Sequence, residues 1–120
     1  MTSDIEQSFD TAPIKLLTVP EVAQRLGVAV SRVQQLVRDG HLLAIRENGA
    51  LGVPEDFIDG SAVVKGLAGT ITVLRDGGYA DNEMLRWLFT EDASLPGTPV
   101  AALRSNRSRE IKRRAQAMAL

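Results

Sequence analysis

The chain has 120 residues, of which 44% are hydrophobic and 24% are charged, with a formal net charge of −1 and a pI near 5.8. This composition is that of a globular protein with one domain, or one small domain with an appendage. The absence of cysteine excludes disulfides, thiolate zinc sites and cysteine nucleophiles, and no apolar run reaches the roughly 18 residues that a membrane helix needs.

Charge is distributed unevenly along the chain. Residues 1–10 carry three acidic side chains and no basic one, for a charge of −3, whereas residues 104–114 carry six basic side chains against Glu110, for +5. Residues 1–15 have no hydrophobic period and are predicted to form a flexible acidic tail. They do not resemble a signal peptide, so we expect a cytoplasmic location, associated with the nucleoid.

Residues 16–58 are predicted to begin with a helix over about 19–26. Thr18 has the side chain of an N-cap, and Glu21, three residues later, completes a capping box. Pro20 lies in the first turn, where its missing N–H is harmless. Gly27 ends this first helix.

A second helix is predicted over about residues 30–39, and Gly40 ends it. Its apolar residues recur at helical spacing and predict a buried stripe, namely Val30, Val33, Leu36 and Val37. The opposite face is polar. A short helix, a tight turn and a second amphipathic helix are typical of a helix-turn-helix.

A β-hairpin is predicted to follow the second helix. Residues 41–46 read as a strand, Asn48-Gly49 is the strongest short signal for a hairpin turn, and residues 51–53 form the return strand, closed by Pro54. Residues 54–58 favour one helical turn. The fold class is therefore mainly α with a small β-hairpin wing: a winged helix-turn-helix followed by C-terminal helices.

Residues 59–120 are predicted to be a helical C-terminal region that packs on the winged helix-turn-helix or extends it. A short strand or connector over 60–66 precedes helices over about 67–78, over 80–90 with Asp81 as N-cap, from Pro99, and over 106–119. The last helix has an apolar stripe surrounded by arginines, which is made of Ile111, Ala115 and Met118. Two compatible interpretations stay open: the stripe packs on the body of the protein, or it forms a dimer contact.

The second helix carries the side chains that read base edges in the DNA major groove. Arginine pairs with guanine O6 and N7, glutamine pairs with adenine N6 and N7, and serine bonds to either. Candidate base contacts are therefore Ser31, Arg32, Gln34 and Gln35. Candidate phosphate or minor-groove contacts are Thr18, Arg38, Arg46, Asn48, Arg107, Arg109, Lys112 and Arg113, with Arg104 and Arg114 in the same basic segment.

The charge of the winged helix-turn-helix limits its affinity for DNA. Residues 18–58 carry four basic and five acidic side chains, for a net charge of −1. Affinity for DNA comes largely from neutralised phosphates, so a single module is predicted to bind weakly. Tight binding then requires a homodimer, tandem copies on DNA, or the basic C-terminal helix.

Sequence features of an enzyme are missing. His41 is the single histidine and is predicted to be a surface residue at the start of a strand. The glycines form no phosphate-binding motif, and the carboxylates lack a partner base. We therefore expect no catalytic residue, no metal site and no cofactor.

A resemblance to a known family comes from three stretches: LGVAVSRVQQLVRDGHLLAIRENGALGVP, VVKGLAGTITVLRDGGYADNEMLRWLFT and REIKRRAQAMAL. The first is similar to the winged helix-turn-helix of the excisionase and MerR-like class. Their order over roughly residues 16–120 resembles small actinobacterial DNA-binding proteins whose mycobacterial member is a substrate of a membrane Ser/Thr kinase, protein kinase L. Residues 76–79 and 85–90 are the most specific part.

This resemblance implies DNA binding that is lost when a threonine of the N-terminal tail is phosphorylated. The tail of this chain does not match the phosphorylated segment of the family, so Thr11 is the candidate, with Thr2, Ser3 and Ser8 as alternatives. A phosphate adds up to about −2 to an acidic tail and repels DNA.

The sequence thus predicts a sequence-specific protein for double-stranded DNA, a transcriptional regulator under Ser/Thr kinase control. Two alternatives stay open. The C-terminal segment from Pro99 loosely resembles the toxin-binding tail of some antitoxins, which would make the chain a protein-interaction module. An excisionase-like architectural factor that bends DNA is the other.

Overall fold

The computed structural model describes residues 14–120, so most of the predicted tail and its phosphorylation candidates lie outside the described residues. The elements follow in this order: β1 (Leu16–Thr18), α1 (Val19–Leu26), α2 (Val30–Arg38), β2 (Ile45–Glu47), β3 (Ala50–Pro54), a 3-10 turn (Glu55–Phe57), β4 (Ile58–Asp59), β5 (Ala62–Val63), α3 (Leu67–Asp76), α4 (Asp81–Leu88), α5 (Pro99–Arg104) and α6 (Ser108–Met118). A mainly α fold with a β-hairpin wing is confirmed.

The capping box predicted at the start of α1 is present. The Thr18 hydroxyl accepts the N–H of Glu21 at 3.2 Å, and the Glu21 carboxylate accepts the N–H of Thr18 at 2.7 Å. These bonds hold the pKa of Glu21 below its usual value of 4.5. Gly27 ends the helix with a φ of 69°, a left-handed conformation that glycine adopts without strain.

The prediction for α2 is confirmed in its bounds and in part of its apolar stripe. Val33 is fully buried, and Leu36 and Val37 are partly buried against the core. Val30 was expected in this stripe, but that prediction is wrong because its side chain is 40% exposed. The helix has only just begun at Val30, so helical spacing places this residue at the edge of the module rather than above its core.

The predicted strand over 41–46 begins only at Ile45. His41 lies in the turn that follows α2, where its N–H donates to the Leu36 carbonyl of the helix at 2.9 Å. Leu42 and Leu43 are both fully buried, which two successive residues of a one-sided strand cannot be. The chain therefore runs through an irregular connection there and becomes extended afterwards.

The wing is a two-residue hairpin as predicted. Asn48 and Gly49 have φ values of 54° and 80°, as a type I′ turn requires, and Glu47 pairs with Ala50. β3 also pairs on its other edge with β1, in antiparallel register with Leu17 opposite Val53. β1 was not predicted from the sequence, because three residues are too few to show a period and their partner strand lies far along the chain.

The C-terminal helices occur where they were predicted, with one error at the start of α4. The N-cap is Ala80, not Asp81. Glu83 accepts the N–H of Ala80 at 2.8 Å, so this end needs no N-cap side chain, and Asp81 instead forms an ion pair with Arg75 at 2.8 Å. Met84, Leu85, Leu88 and Phe89 are buried as expected.

One hydrophobic core connects the winged helix-turn-helix to the C-terminal helices. The Phe57 and Phe89 rings lie 5.5 Å apart, and Arg104 donates to the carbonyls of Asp56 and Ile58 at 3.0 and 2.8 Å. Ile111 and Ala115 of α6 are fully buried in this core, and Met118 packs against it. Ile111 and Ala115 therefore cannot form the predicted dimer contact, because the chain's own core covers them, whereas Met118 is only partly buried.

No helix of residues 14–120 is long and apolar enough to cross a membrane.

Candidate nucleic-acid interface

The outward face of α2 consists of polar side chains, bordered by the partly exposed Val30 at the start of the helix. Packing of Val33 into the core turns the opposite side of the helix toward solvent, since residues on one face recur every three or four positions. All five polar residues predicted there are exposed: Ser31, Arg32, Gln34, Gln35 and Arg38. The structure thus brings together the predicted base readers on one surface.

Arg32 and Gln35 contact each other on this face. An Arg32 guanidinium N–H donates to the Gln35 side-chain oxygen at 3.3 Å, at the distance of one helical turn. Both side chains are exposed, so this bond is weak and water can replace it. Neither Arg32 nor Arg38 forms an ion pair with any residue of 14–120, so no described carboxylate neutralises either charge.

The wing residues have local structural roles besides their predicted one. The Arg46 guanidinium donates to the Gly49 carbonyl at 3.2 Å and so folds over its own turn. Asn48 supplies the positive φ that the turn needs. Both remain exposed near the tip of the hairpin.

Thr18 is a poorer phosphate ligand than its position suggested. Its N–H is bonded to Glu21, and its hydroxyl oxygen already accepts the Glu21 N–H. Only the hydroxyl hydrogen is left to donate, and the Glu21 carboxylate beside it repels an anion. The sequence predicted both the cap and the phosphate contact for the same atoms, and the cap uses most of them.

Lys15 and Arg25, near the start of the winged helix-turn-helix, both form ion pairs with the Glu55 carboxylate. Glu55 accepts from Arg25 at 3.0 Å and lies 3.6 Å from Lys15. This group ties the 3-10 turn to α1 and to the residue before β1. Its charges therefore stabilise the module and contribute little to a DNA-facing potential.

The basic residues of α6, taken together with its N-cap residue Arg107, divide into two sets. Arg107 and Arg114 both pair with Glu110, at 2.6 and 2.9 Å, and Arg114 also lies 3.6 Å from Asp92. The arginine bonds hold the pKa of the Glu110 carboxyl below its usual 4.5. Hydrogen bonds from Ser94, with the charge of Arg114, lower the pKa of Asp92 below 3.8.

The other set has no ion pair with any residue of 14–120 and is exposed: Arg109, Lys112 and Arg113. Their spacing of three and four residues places them on one side of α6, and we call them the basic stripe. Four C-terminal residues were predicted to contact phosphates. Three of them form the basic stripe, and the fourth, Arg107, forms an internal ion pair with Glu110.

Two arginines that join the halves of the molecule have roles that were not predicted from the sequence. Arg104 bonds to the carbonyls after the wing, and the Arg75 guanidinium covers Gly40, where a Cβ would lie only 2.1 Å from Nη1. Their partners are 35 or more residues away, so no local pattern could have revealed them. Residues 14–120 contain no cluster of three acidic or histidine side chains placed to hold a metal ion.

The two halves of the chain match two family models. Residues 8–58 match the model described as "DNA-binding protein Rv2175c, wHTH domain", and residues 64–119 match "Rv2175c C-terminal domain of unknown function". The DNA-binding protein Rv2175c of Mycobacterium tuberculosis is 48% identical over 114 residues, which cover 84% of this chain and 78% of the relative.

Two further similarities agree with this match. The NMR structure of Rv2175c superposes with a TM-score of 0.83 at 43% identity, over 92% of this chain and 86% of that one. An excisionase of Streptomyces ambofaciens is 46% identical over 48 residues, which cover 40% of this chain and 77% of the relative.

Proposed function

The chain belongs to the Rv2175c family of winged helix-turn-helix DNA-binding proteins, and we propose that it binds specific sequences of double-stranded DNA and regulates transcription. The observation that carries this proposal is the outward face of α2. Its side chains contribute nothing to the core, and they are of the types that form hydrogen bonds with base edges. In the cell, such a protein is associated with the nucleoid.

In the proposed complex, the first half of α2 lies in the major groove. Arg32 pairs with a guanine, Gln34 and Gln35 pair with adenines, and Ser31 bonds to a neighbouring base. The bond between Arg32 and Gln35 gives way on docking at little cost, because both groups are already solvated. These contacts determine the sequence that is bound.

Phosphates are held around this contact. Arg38 follows one turn after the base readers, while Arg46 and Asn48 extend from the wing and the Thr18 hydroxyl lies at the start of α1. These groups fix the register of the protein on the duplex. They carry little net charge, since residues 18–58 sum to −1.

The missing affinity comes from the basic stripe, from a homodimer on DNA, or from both. The stripe adds three positive charges that no described carboxylate neutralises. Each phosphate that a cation neutralises releases counterions, which is the main source of affinity for DNA. Sedimentation of the complex gives the number of chains on each duplex.

The proposal is tested by selecting duplexes from a random-sequence library with the full chain. Fluorescence anisotropy then gives Kd for a selected duplex and for a shuffled duplex of the same composition, between about 50 and 200 mM salt. We expect a Kd that rises with salt and is at least about 10³-fold lower for the selected duplex. Equal affinity for the two duplexes would contradict sequence-specific binding.

We also propose that a Ser/Thr protein kinase controls this binding through the N-terminal tail. The support is chemical: residues 1–10 already carry a charge of −3, and a phosphate on Thr11 would repel the DNA backbone further. The residues concerned lie outside the described part of the chain, and the family resemblance implies a threonine of the tail, for which Thr11 is the candidate that the experiment tests first, with Thr2, Ser3 and Ser8 as alternatives.

Kinase treatment followed by mass spectrometry tests this regulation. We expect a phosphate on the tail and a higher Kd for the selected duplex, with Thr11→Ala unaffected by the kinase. The melting temperatures of the phosphorylated and unphosphorylated chains are compared, to verify that a higher Kd does not result from unfolding. A tail without phosphate, or a phosphorylated tail with unchanged Kd, would exclude this regulation.

A second candidate function is supported by the similarity to an excisionase, which favours an architectural role. A protein of that kind bends its site, so duplexes with the site at the centre would migrate more slowly in gels than those with the site at an end. An antitoxin-like partner contact has less support, because the apolar residues of α6 are already covered by the chain's own core.

A further inference from the structure

Apolar side chains are exposed at residues 28–30, where α2 begins, and they do not pack against the hydrophobic core. Val28 and Val30 are 38% and 40% exposed, and apart from the C-terminal Leu120 they are the exposed large hydrophobics of residues 14–120. Neither is among the partly buried residues that pack against the core. Ala29 between them is also exposed, and as the N-cap of α2 it forms no side-chain cap.

Folding in water favours different residues at these positions. An N-cap of Ser, Thr, Asp or Asn stabilises a helix by about 1 kcal/mol relative to alanine. Val28 has a local role, because its N–H donates to the Ala23 carbonyl at 3.0 Å in the turn that ends α1. That bond involves the backbone and leaves the Val28 and Val30 side chains partly exposed, so their methyl groups are available to a partner outside the chain.

The position of Val30 identifies the chemistry of that partner. Val30 is the first residue of α2 and precedes Gln34 by four positions, so the two are neighbours on the helix surface. It therefore borders the face that carries the base readers. In a helix-turn-helix, the first residues of the second helix come closest to the base edges.

We propose that Val30 contacts the C5 methyl group of a thymine in the major groove and so helps to determine the sequence that is bound. This inference rests on the proposed function, because it needs α2 in the groove. Thymine is the only base that presents a methyl group there, and apolar side chains recognise it by excluding water. Val28 lies beside this contact and completes its apolar border.

The test uses the duplex selected with the full chain and a second duplex in which deoxyuridine replaces every thymidine. Deoxyuridine keeps the hydrogen-bonding groups of thymidine and lacks only the methyl group. Removing one buried methyl group should raise Kd about four-fold. Kd is measured by anisotropy on both duplexes for the full chain, for Val30→Ala and for the control Leu120→Ala.

We expect the full chain and Leu120→Ala to bind the deoxyuridine duplex several-fold more weakly than the thymidine duplex. Val30→Ala should bind the thymidine duplex with that same weaker affinity and lose nothing more on the deoxyuridine duplex. Its melting temperature should not fall, since the site is exposed and alanine favours helix.

Two results would overturn the inference while leaving DNA binding intact. The full chain could bind both duplexes equally, which would mean that no methyl group is read. Alternatively, Val30→Ala could lose as much as the full chain on the deoxyuridine duplex, which would assign the methyl contact to another residue. Failure to select any duplex would instead contradict the proposed function itself and this inference with it.

Discussion

Two helices of this molecule look alike in sequence and differ in the structure. Both α2 and α6 are amphipathic, with two and four basic side chains respectively, and both were predicted to contact DNA. In α2, Arg32 and Arg38 meet no carboxylate of residues 14–120. In α6, Arg107 and Arg114 are bound by Glu110, and the apolar side is buried in the core.

The number of cations in a helix therefore overestimates the positive charge that is available to a ligand. A guanidinium that already shares a carboxylate gains less from a phosphate, because it must give up one anion to meet the other. The two helices should therefore respond differently to the same kind of substitution. Side-chain changes are the suitable probe, because deleting α6 would uncover the buried Ile111 and Ala115.

The largest expected effect concerns the structural side of α6. Ile111→Ala removes a fully buried side chain and should lower the free energy of unfolding by about 2–5 kcal/mol. Urea denaturation measures this change. Arg113→Ala on the exposed side of the same helix is the control and should change stability by less than about 0.5 kcal/mol. Equal stability of Ile111→Ala and the unaltered chain would contradict the packing of α6.

The next effect concerns the polar side of α2. Arg32→Ala with Gln35→Ala should weaken binding to the selected duplex by about 1–3 kcal/mol for each bidentate pair with a base that is removed. Anisotropy with the single and double variants measures the change in Kd, and Arg86→Ala, an exposed arginine of α4, is the control. The melting temperature should stay constant. Unchanged affinity in the double variant would refute this docking of α2.

A smaller effect should separate the two sets of cations on α6. Replacing Arg109, Lys112 and Arg113 by alanine should reduce the slope of log K against log salt by about 0.9 for each phosphate that is no longer neutralised. Arg107→Ala should leave that slope nearly unchanged, since its charge is held by Glu110. If Arg107→Ala changed the slope as much as Arg113→Ala, the division of α6 into two sets would be wrong.

The smallest effect follows from the lowered pKa of Glu110. A carboxyl whose pKa is lower in the folded chain stabilises it above the unfolded pKa, near 4.5, and loses that contribution as pH falls through the folded pKa. Glu110→Gln should therefore melt at a lower temperature than the unaltered chain at pH 7, and the difference should shrink below about pH 4.5. A difference that is constant down to pH 3 would show that the pairs with Arg107 and Arg114 do not contribute.

Features whose causes lie within a few residues could be predicted from the sequence. The capping box joins atoms three residues apart, and Asn48-Gly49 adopts positive φ values for reasons internal to the two residues. The bounds of α2 and its polar face follow from a period of 3.6 residues. The candidate base readers could be proposed on this basis, because their exposure depends mainly on which side of one helix is apolar.

Features that depend on distant partners were decided only by the tertiary structure. β1 exists because β3 offers a free edge some 35 positions later. Leu42 and Leu43 are both buried because the irregular connection between α2 and β2 packs into the core. The exposure of Val30 depends on where the body of the protein ends. The pairs of Arg107 and Arg114 with Glu110 span only three and four residues, so helical spacing could have indicated them. A sequence states which side chains are apolar or charged, but the packing of distant segments determines which of them remain free for a ligand.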